Sequence, residues 1–299
     1  MSEVEILFVP LPSSHHRGLL DSLLPLLAPG HVVVFTPGTI LSSFMAAGLA
    51  RATGIGDGVT FAESATLPYG TRRTGPSRVN VNCGVTYNPL GVFPARRTEE
   101  VMPRLTELFS TFLPATDCLD AALNNQSPIT QPAGMVLNTG YIENVRDFHL
   151  HRDGVTTSVL RVEEEVDAER VALRRAMGYQ APDYPMKEFY RPGSTNDRAL
   201  FSNVIQEVNE TGDYEEFYET YMPYEGMNHR YLTEACAEGL VFIKALANRL
   251  GVPTPNSDAI IQLASVISQR DYLATGRTPE SVCLVGTSDE IRTTLFEGM

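Results

Sequence analysis

Two short apolar runs, Ile6-Leu7-Phe8-Val9 and Val32-Val33-Val34-Phe35, constrain the fold of this 299-residue chain more than any other feature. Neither alternates apolar with polar residues, so neither suits a strand with one wet face. Both read as strands buried on two sides. Between them Leu19, Leu20, Leu23, Leu24 and Leu27 recur at helical spacing, and Pro29-Gly30 ends that helix. A second helix is predicted over 39–52 and a third strand over 59–62. Strands that alternate with helices make a parallel sheet with crossover connections. Weaker strands follow near Val81 and Val85, then a helix over 98–112.

Beyond residue 115 helical patterns dominate. The clearest covers 158–177, acidic in its first half (Glu163, Glu164, Glu165) and basic in its second (Arg170, Arg174, Arg175), as the helix dipole favours. The acidic triplet reads as a solvated face. A second long helix is predicted over 231–250, stopped by Gly251 with Pro253 and Pro255 beyond, and a third begins near Ser257. Phe148-His149-Leu150-His151 reads as an extended, exposed edge; its two histidines share a face, but no third metal ligand is apparent. The predicted architecture is α/β plus all-α, a partial Rossmann-like parallel sheet over 1–114 and a helical domain over 115–299.

A formal net charge of −13 argues against nucleic acid or an anionic membrane as partner, since either calls for a basic face. Cys83, Cys118, Cys236 and Cys283 are scattered with no Cys-x-x-Cys spacing, so neither a disulfide framework nor a zinc site is indicated. The start has no basic segment leading into an apolar one, and no apolar run approaches the roughly 20 residues of a membrane span. A soluble, cytoplasmic protein is expected.

One segment carries chemistry: Asn228-His229-Arg230-Tyr231-Leu232-Thr233-Glu234-Ala235-Cys236. It resembles the substrate-domain signature of the opine dehydrogenases, the octopine/nopaline dehydrogenase family. Other landmarks of that family follow in order along the chain: Val9-Pro10 with His15, Pro37-Gly38, Glu63 with Thr66-Leu67-Pro68-Tyr69, and Leu137-Asn138-Thr139-Gly140. Then come Asp167-Ala168-Glu169-Arg170, Gly251-Val252-Pro253-Thr254-Pro255 with Asp258, and Gly276-Arg277-Thr278. The resemblance implies NADH- or NADPH-dependent reduction of the imine formed between an amino acid and a 2-keto acid. It also implies an arginine that binds carboxylate and a histidine held by an aspartate as acid/base.

Against that pattern three parts differ. The family's histidine position is Gln131, within Ser127-Pro128-Ile129-Thr130-Gln131-Pro132, and its aspartate position is Ala235. Glutamine does not exchange a proton near neutral pH, and alanine orients nothing. No Gly-x-Gly-x-x-Gly turn joins a strand to a helix; Gly54-Ile55-Gly56-Asp57-Gly58 follows a helix and precedes a strand, so it reads as a turn. The resemblance makes the first strand here the family's fourth, with the first mononucleotide half expected to be missing.

These differences lead to the expectation of a cofactor-independent, non-redox enzyme acting on an amino-acid- or keto-acid-derived carboxylate by condensation, cyclisation, elimination or hydrolysis. The alternatives are an NAD(P)-dependent opine dehydrogenase with further sequence at its N-terminus, and a metabolite-binding pseudoenzyme. Catalytic candidates are Tyr231, Glu234 and Glu63; substrate-binding candidates are Arg230, Gln131, Tyr69 and His229. Arg72 and Arg73 would add positive charge near Tyr69. Arg230 can equally pair with Glu234 one helical turn on. His15 and His16, just after the first strand, are further acid/base candidates, and Cys236 reads as a buried structural thiol. No cofactor and no metal are expected. If the sheet begins at its fourth strand, Ile6–Val9 is an open apolar edge that a homodimer would cover.

Overall fold

The apolar runs become strands where the pattern predicts. In the computed structural model, which describes residues 4–55, 58–144, 148, 150–186 and 225–299, β1 (Ile6–Val9), β2 (Val32–Phe35) and β3 (Thr60–Ser64) lie side by side in parallel. Helices α1 (His16–Leu23) and α2 (Ser42–Ala52) make the crossovers. A hairpin of β4 (Tyr69–Gly75) and β5 (Arg78–Gly84) then interrupts the sheet. β6 (Asn88–Phe93) returns antiparallel to β3, and after α3 (Thr98–Leu108) comes β7 (Phe112–Pro114), parallel to β6. The order across the sheet is β1-β2-β3-β6-β7.

Both faces of this sheet are covered, which explains why its strands do not alternate in polarity. Val33, Phe35 and Phe61 point to one side, against Leu20, Leu23 and Leu24 of the first helical segment and Ala46 and Ala50 of α2. Val32, Val34, Ala62 and Val92 point to the other, against Val101, Met102 and Leu105 of α3.

The helical layer is built around α5 (Ser127–Leu137), preceded by α4 (Cys118–Ala122) and followed by α6 (Thr139–Asn144) and α7 (Thr157–Ala176). After the segment outside the described residues come α8 (Arg230–Thr233), α9 (Val241–Arg249), α10 (Pro255–Ser268), α11 (Tyr272–Thr275) and α12 (Ser288–Glu297). The Asp167-Ala168-Glu169-Arg170 landmark is structural. Glu169 caps α10 by accepting hydrogen bonds from the Asn256 and Ser257 amides at 2.7 and 3.0 Å. Arg170 is fully buried, paired with Asp167 at 2.7 Å, and donates to the Leu123 carbonyl.

Several sequence expectations are corrected. The helix predicted over 98–112 ends at Leu108, because Phe109 turns extended and Phe112 enters β7. The long helix predicted over 231–250 is broken: α8 has four residues, and Ala235–Leu240 forms a π-helical segment before α9. The stretch read as extended forms a π-helical turn over Leu150–Gly154; His149 lies outside the described residues. Glu163, read as part of a solvated face, points inward and is only 2% exposed, whereas Glu165 does face solvent. The helix predicted from residue 39 starts at Ser42, because Thr39, Ile40 and Leu41 adopt φ values of 40°, 57° and 65°.

Candidate active site

The chain leaves β1 through Pro10-Leu11-Pro12, and the residue that follows meets the helical layer. Ser13 donates both its amide and its hydroxyl to Glu234 Oε1, at 2.6 and 2.8 Å. Glu234 stands at the junction of α8 and the π-helical segment and is 6% exposed. Its other oxygen, Oε2, is buried and accepts no hydrogen bond. Among the described residues the nearest cation is Arg230, with Nη1 3.7 Å from Oε2 and a guanidinium whose side chain is 54% exposed. That separation is beyond hydrogen-bonding range, so the pair leaves most of the Arg230 fork open to an incoming carboxylate.

Tyr231 and His229 complete the local frame. Arg230 lies over the Tyr231 ring, 5.3 Å from its centroid, and the buried Tyr231 ring meets His229 edge-on at 4.5 Å. His229 Nδ1 accepts the Tyr231 amide at 3.2 Å, so it caps the start of α8. This bond fixes Nδ1 as an acceptor, which makes His229 a residue that shapes the helix start.

Glu63 sits elsewhere, at the end of β3. It is fully buried, and its oxygens accept the Leu41 amide at 2.8 Å, the Ser43 amide at 2.8 Å and the Ser43 hydroxyl at 2.5 Å. Burial raises its pKa, opposed by those hydrogen bonds. With both oxygens engaged by the chain, this carboxylate organises the turn before α2. Gly38 is required there: a Cβ on it would come within 2.5 Å of Glu63.

His16 is buried between the two turns. Its Nε2 donates to the Leu11 carbonyl at 2.9 Å, leaving Nδ1 to accept from the Ser42 hydroxyl at 2.8 Å. Burial lowers its pKa to about 4, so it is neutral around pH 7 and fully engaged. His15 is exposed beside Ser14.

Gln131 is half-buried on α5, which packs against both α8 and the π-helical segment. Ala235, first residue of that segment, is buried. Tyr69 is not drawn into the cluster: half exposed on β4, its ring packs against Phe109 at 6.2 Å. Arg72 and Arg73 belong to the same strand. Cys236 is buried in apolar surroundings that push its pKa up to about 12, which makes it an inert thiol.

Sequence reasoning missed Ser13, Ser42, Glu238 and Arg277. Arg277 donates to the Thr39 and Ile40 carbonyls at 3.1 and 2.6 Å and pairs with Glu238 at 2.5 Å. It sits in Gly276-Arg277-Thr278, whose place among the landmarks was the available signal.

The comparisons with known proteins bear on the family and the fold. Residues 114–268, just over half of the chain, match the family model described as NAD/NADP octopine/nopaline dehydrogenase, alpha-helical domain. An opine dehydrogenase of Arthrobacter sp. (strain 1C) is 24% identical over 289 residues, covering 96% of this chain and 77% of that protein. The protein ocs of Agrobacterium vitis is 28% identical over 307 residues, again covering 96% and 77%. Among solved structures, octopine dehydrogenase with NADH and L-arginine superposes with a TM-score of 0.65 at 18% identity, covering 97% of this chain and 78% of that one. Yersinopine dehydrogenase with NADP+ gives 0.63 at 16%, covering 98% and 78%. These findings correct the expectation of a cofactor-independent, non-redox enzyme: the matched family is an NAD/NADP dehydrogenase family, and its curated relatives include an opine dehydrogenase. The chain belongs to the octopine/nopaline dehydrogenase family.

Proposed function

We propose that this protein is an NAD(P)H-dependent opine dehydrogenase, joining the amine of an amino acid to the carbonyl carbon of a 2-keto acid and reducing the resulting imine. The observation that carries the reading is the meeting of Ser13, Glu234 and Arg230 at the carboxyl end of β1. In open α/β sheets ligands bind outside the carboxyl ends of the strands.

The residues present fit the nicotinamide end of a dinucleotide. β1 and β2 are parallel neighbours, and a buried carboxylate oxygen without a hydrogen bond, Glu234 Oε2, lies beside the turn after β1. The turns over 10–14 and 36–38 would hold that end. Among the described residues no Gly-x-Gly-x-x-Gly turn leads from a strand into a helix, so no group for the pyrophosphate is assigned to them. Bound there, a reduced nicotinamide supplies the hydride for the imine carbon.

The chain's own residues supply the rest. The Arg230 guanidinium holds the substrate carboxylate bidentately, with Tyr231 packed beneath it and His229 fixing the helix start. Condensation of amine and ketone releases water, and the imine nitrogen takes up one proton as the carbon is reduced. Glu234 is the acid/base for that proton, in place of the histidine and aspartate whose positions hold Gln131 and Ala235. Gln131 donates or accepts hydrogen bonds to the substrate from α5. Glu63 acts through the turn that it holds.

A division near residue 114 is supported by β7 ending at Pro114 and by the helical-domain match starting there. Two copies pairing through the outer edge of β1 are supported by that strand's pairing with β2 alone among the described strands. The free thiols Cys118 and Cys236 suit a reducing cytoplasm.

The test is to incubate the protein with NADH or NADPH and a panel of amino acids and 2-keto acids. Reduced nicotinamide should be consumed only when both co-substrates are present, with a secondary amine of the summed mass less one oxygen atom. If neither nucleotide binds and no pair consumes it, the reading fails.

A further inference from the structure

Three consecutive non-glycine residues in left-handed backbone form the least expected stretch of the chain. Thr39, Ile40 and Leu41 have φ of 40°, 57° and 65°, a conformation that disfavours β-branched and bulky side chains. The turn persists because it is held from both sides. Glu63 takes its amides, as described above, while Arg277 from the helical layer takes the Thr39 and Ile40 carbonyls at 3.1 and 2.6 Å. Ile40 and Leu41 are fully buried and join the core of the helical layer. Strain of this kind is maintained by its surroundings and is concentrated at functional sites.

Arg277 also closes a ring of contacts around the site. Its Nη1 lies 3.3 Å from Ser42 Oγ, which donates to His16 Nδ1, and His16 Nε2 donates to the Leu11 carbonyl. Two residues on, Ser13 holds Glu234 Oε1. In the other direction Arg277 pairs with Glu238, whose amide donates to the Glu234 carbonyl at 2.7 Å. The Arg277 amide donates to the Ala237 carbonyl at 2.8 Å, fixing its backbone to the π-helical segment. The ring passes between sheet and helices twice, once at Ser13–Glu234 and once at Arg277.

We propose that Arg277 is a positioning residue of the active site, setting the sheet against the helices so that Glu234 is held over the end of β1. Resting on the dehydrogenase reading for its catalytic consequence, this assigns Arg277 no contact with substrate. A lysine lacks the fork that spans two carbonyls and a carboxylate together.

The experiment compares wild-type protein with Arg277→Lys, Arg277→Met and Ser42→Ala in steady-state kinetics and hydrogen–deuterium exchange. A displacement near 1 Å costs up to about 100-fold in rate. Arg277→Met should therefore lose about 10- to 100-fold in kcat with KM within about twofold, because Arg230 still binds carboxylate. Arg277→Lys should fall between it and wild type. Ser42→Ala, a smaller cut in the same ring, should show a weaker loss of the same form and decides the matter if Arg277→Met does not fold. Independently of turnover, the Ser13 amide should exchange faster in each variant while the amides of β2 stay protected. Unchanged Ser13 exchange, or a loss confined to KM, overturns the proposal. If wild-type protein turns over no substrate pair, the dehydrogenase reading fails, and Ser13 exchange alone still decides whether Arg277 sets the domains.

Discussion

Replacing Glu163 by glutamine should stabilise the protein at alkaline pH and leave it unchanged in acid. Glu163 points from α7 towards α5, where its Oε1 lies 3.5 Å from the position a Cβ on Gly134 would take, with Leu150 alongside. It is 2% exposed, and among the described residues no hydrogen bond or ion pair to its carboxylate is found. Burial raises its pKa from 4.5 to about 8. A folded-state pKa above the unfolded value means that the protonated form belongs to the fold: its stability is complete below pH 4.5 and is lost as pH rises to about 8. At roughly 1.4 kcal/mol per pH unit the ceiling is roughly 5 kcal/mol, and local relaxation brings the expected gain to roughly 2–4 kcal/mol. Glu163→Gln keeps the shape and removes the ionisation. The chain contains no tryptophan, so urea unfolding is best followed by far-ultraviolet circular dichroism. Near pH 4 the two proteins should unfold together; near pH 9 the variant should require more urea. A difference that is the same at both pH values would refute the reasoning.

Three other outcomes are expected. Arg230→Lys should raise KM for the carboxylate substrate about 10- to 100-fold, the worth of a charge-assisted hydrogen bond, with little change in unfolding midpoint because lysine keeps the charge and the 3.7 Å pair with Glu234 is too long for a hydrogen bond; an unchanged KM would assign Arg230 to the ion pair. Since burial lowers the His16 pKa to about 4, stability should be intact above the unfolded value of 6.5 and fall by up to roughly 3 kcal/mol as pH drops from there towards 4, and His16→Gln should flatten that limb of a stability–pH curve. Gly91→Ala should destabilise by about 1–3 kcal/mol in thermal or urea unfolding, because its Cβ would stand 2.2 Å from the Asp117 carbonyl oxygen and the backbone there cannot swing aside.

The parallel half of the sheet was legible because Val32–Phe35 is buried on both faces and Ile6–Val9 is packed, partly buried, on both, and unbroken apolar runs record that directly. Arg230 and Glu234 were legible through one contiguous segment. What escaped lies in contacts between residues far apart in sequence. Ser13 and Glu234 are 221 positions apart, and nothing local to either announces the other. The left-handed turn at Thr39-Ile40-Leu41 contradicts local propensity and stands only through Glu63 and Arg277. The π-helical segment over Ala235–Leu240 was read as ordinary helix because its apolar spacing is helical. Glu163 was placed outside because three consecutive glutamates look like a wet face, yet on α7 successive residues are about 100° apart and only the first falls on the inner side.

The most direct measurement of the central claim is isotope transfer. The protein is supplied with NADH or NADPH carrying deuterium at the transferable ring position, together with an amino acid and a 2-keto acid, and the product is analysed by mass spectrometry. Deuterium on the carbon that came from the keto acid, in a secondary amine formed at a rate that falls with Glu234→Gln, is the predicted result. A product formed without deuterium, or formed equally well with no nucleotide present, would contradict the account.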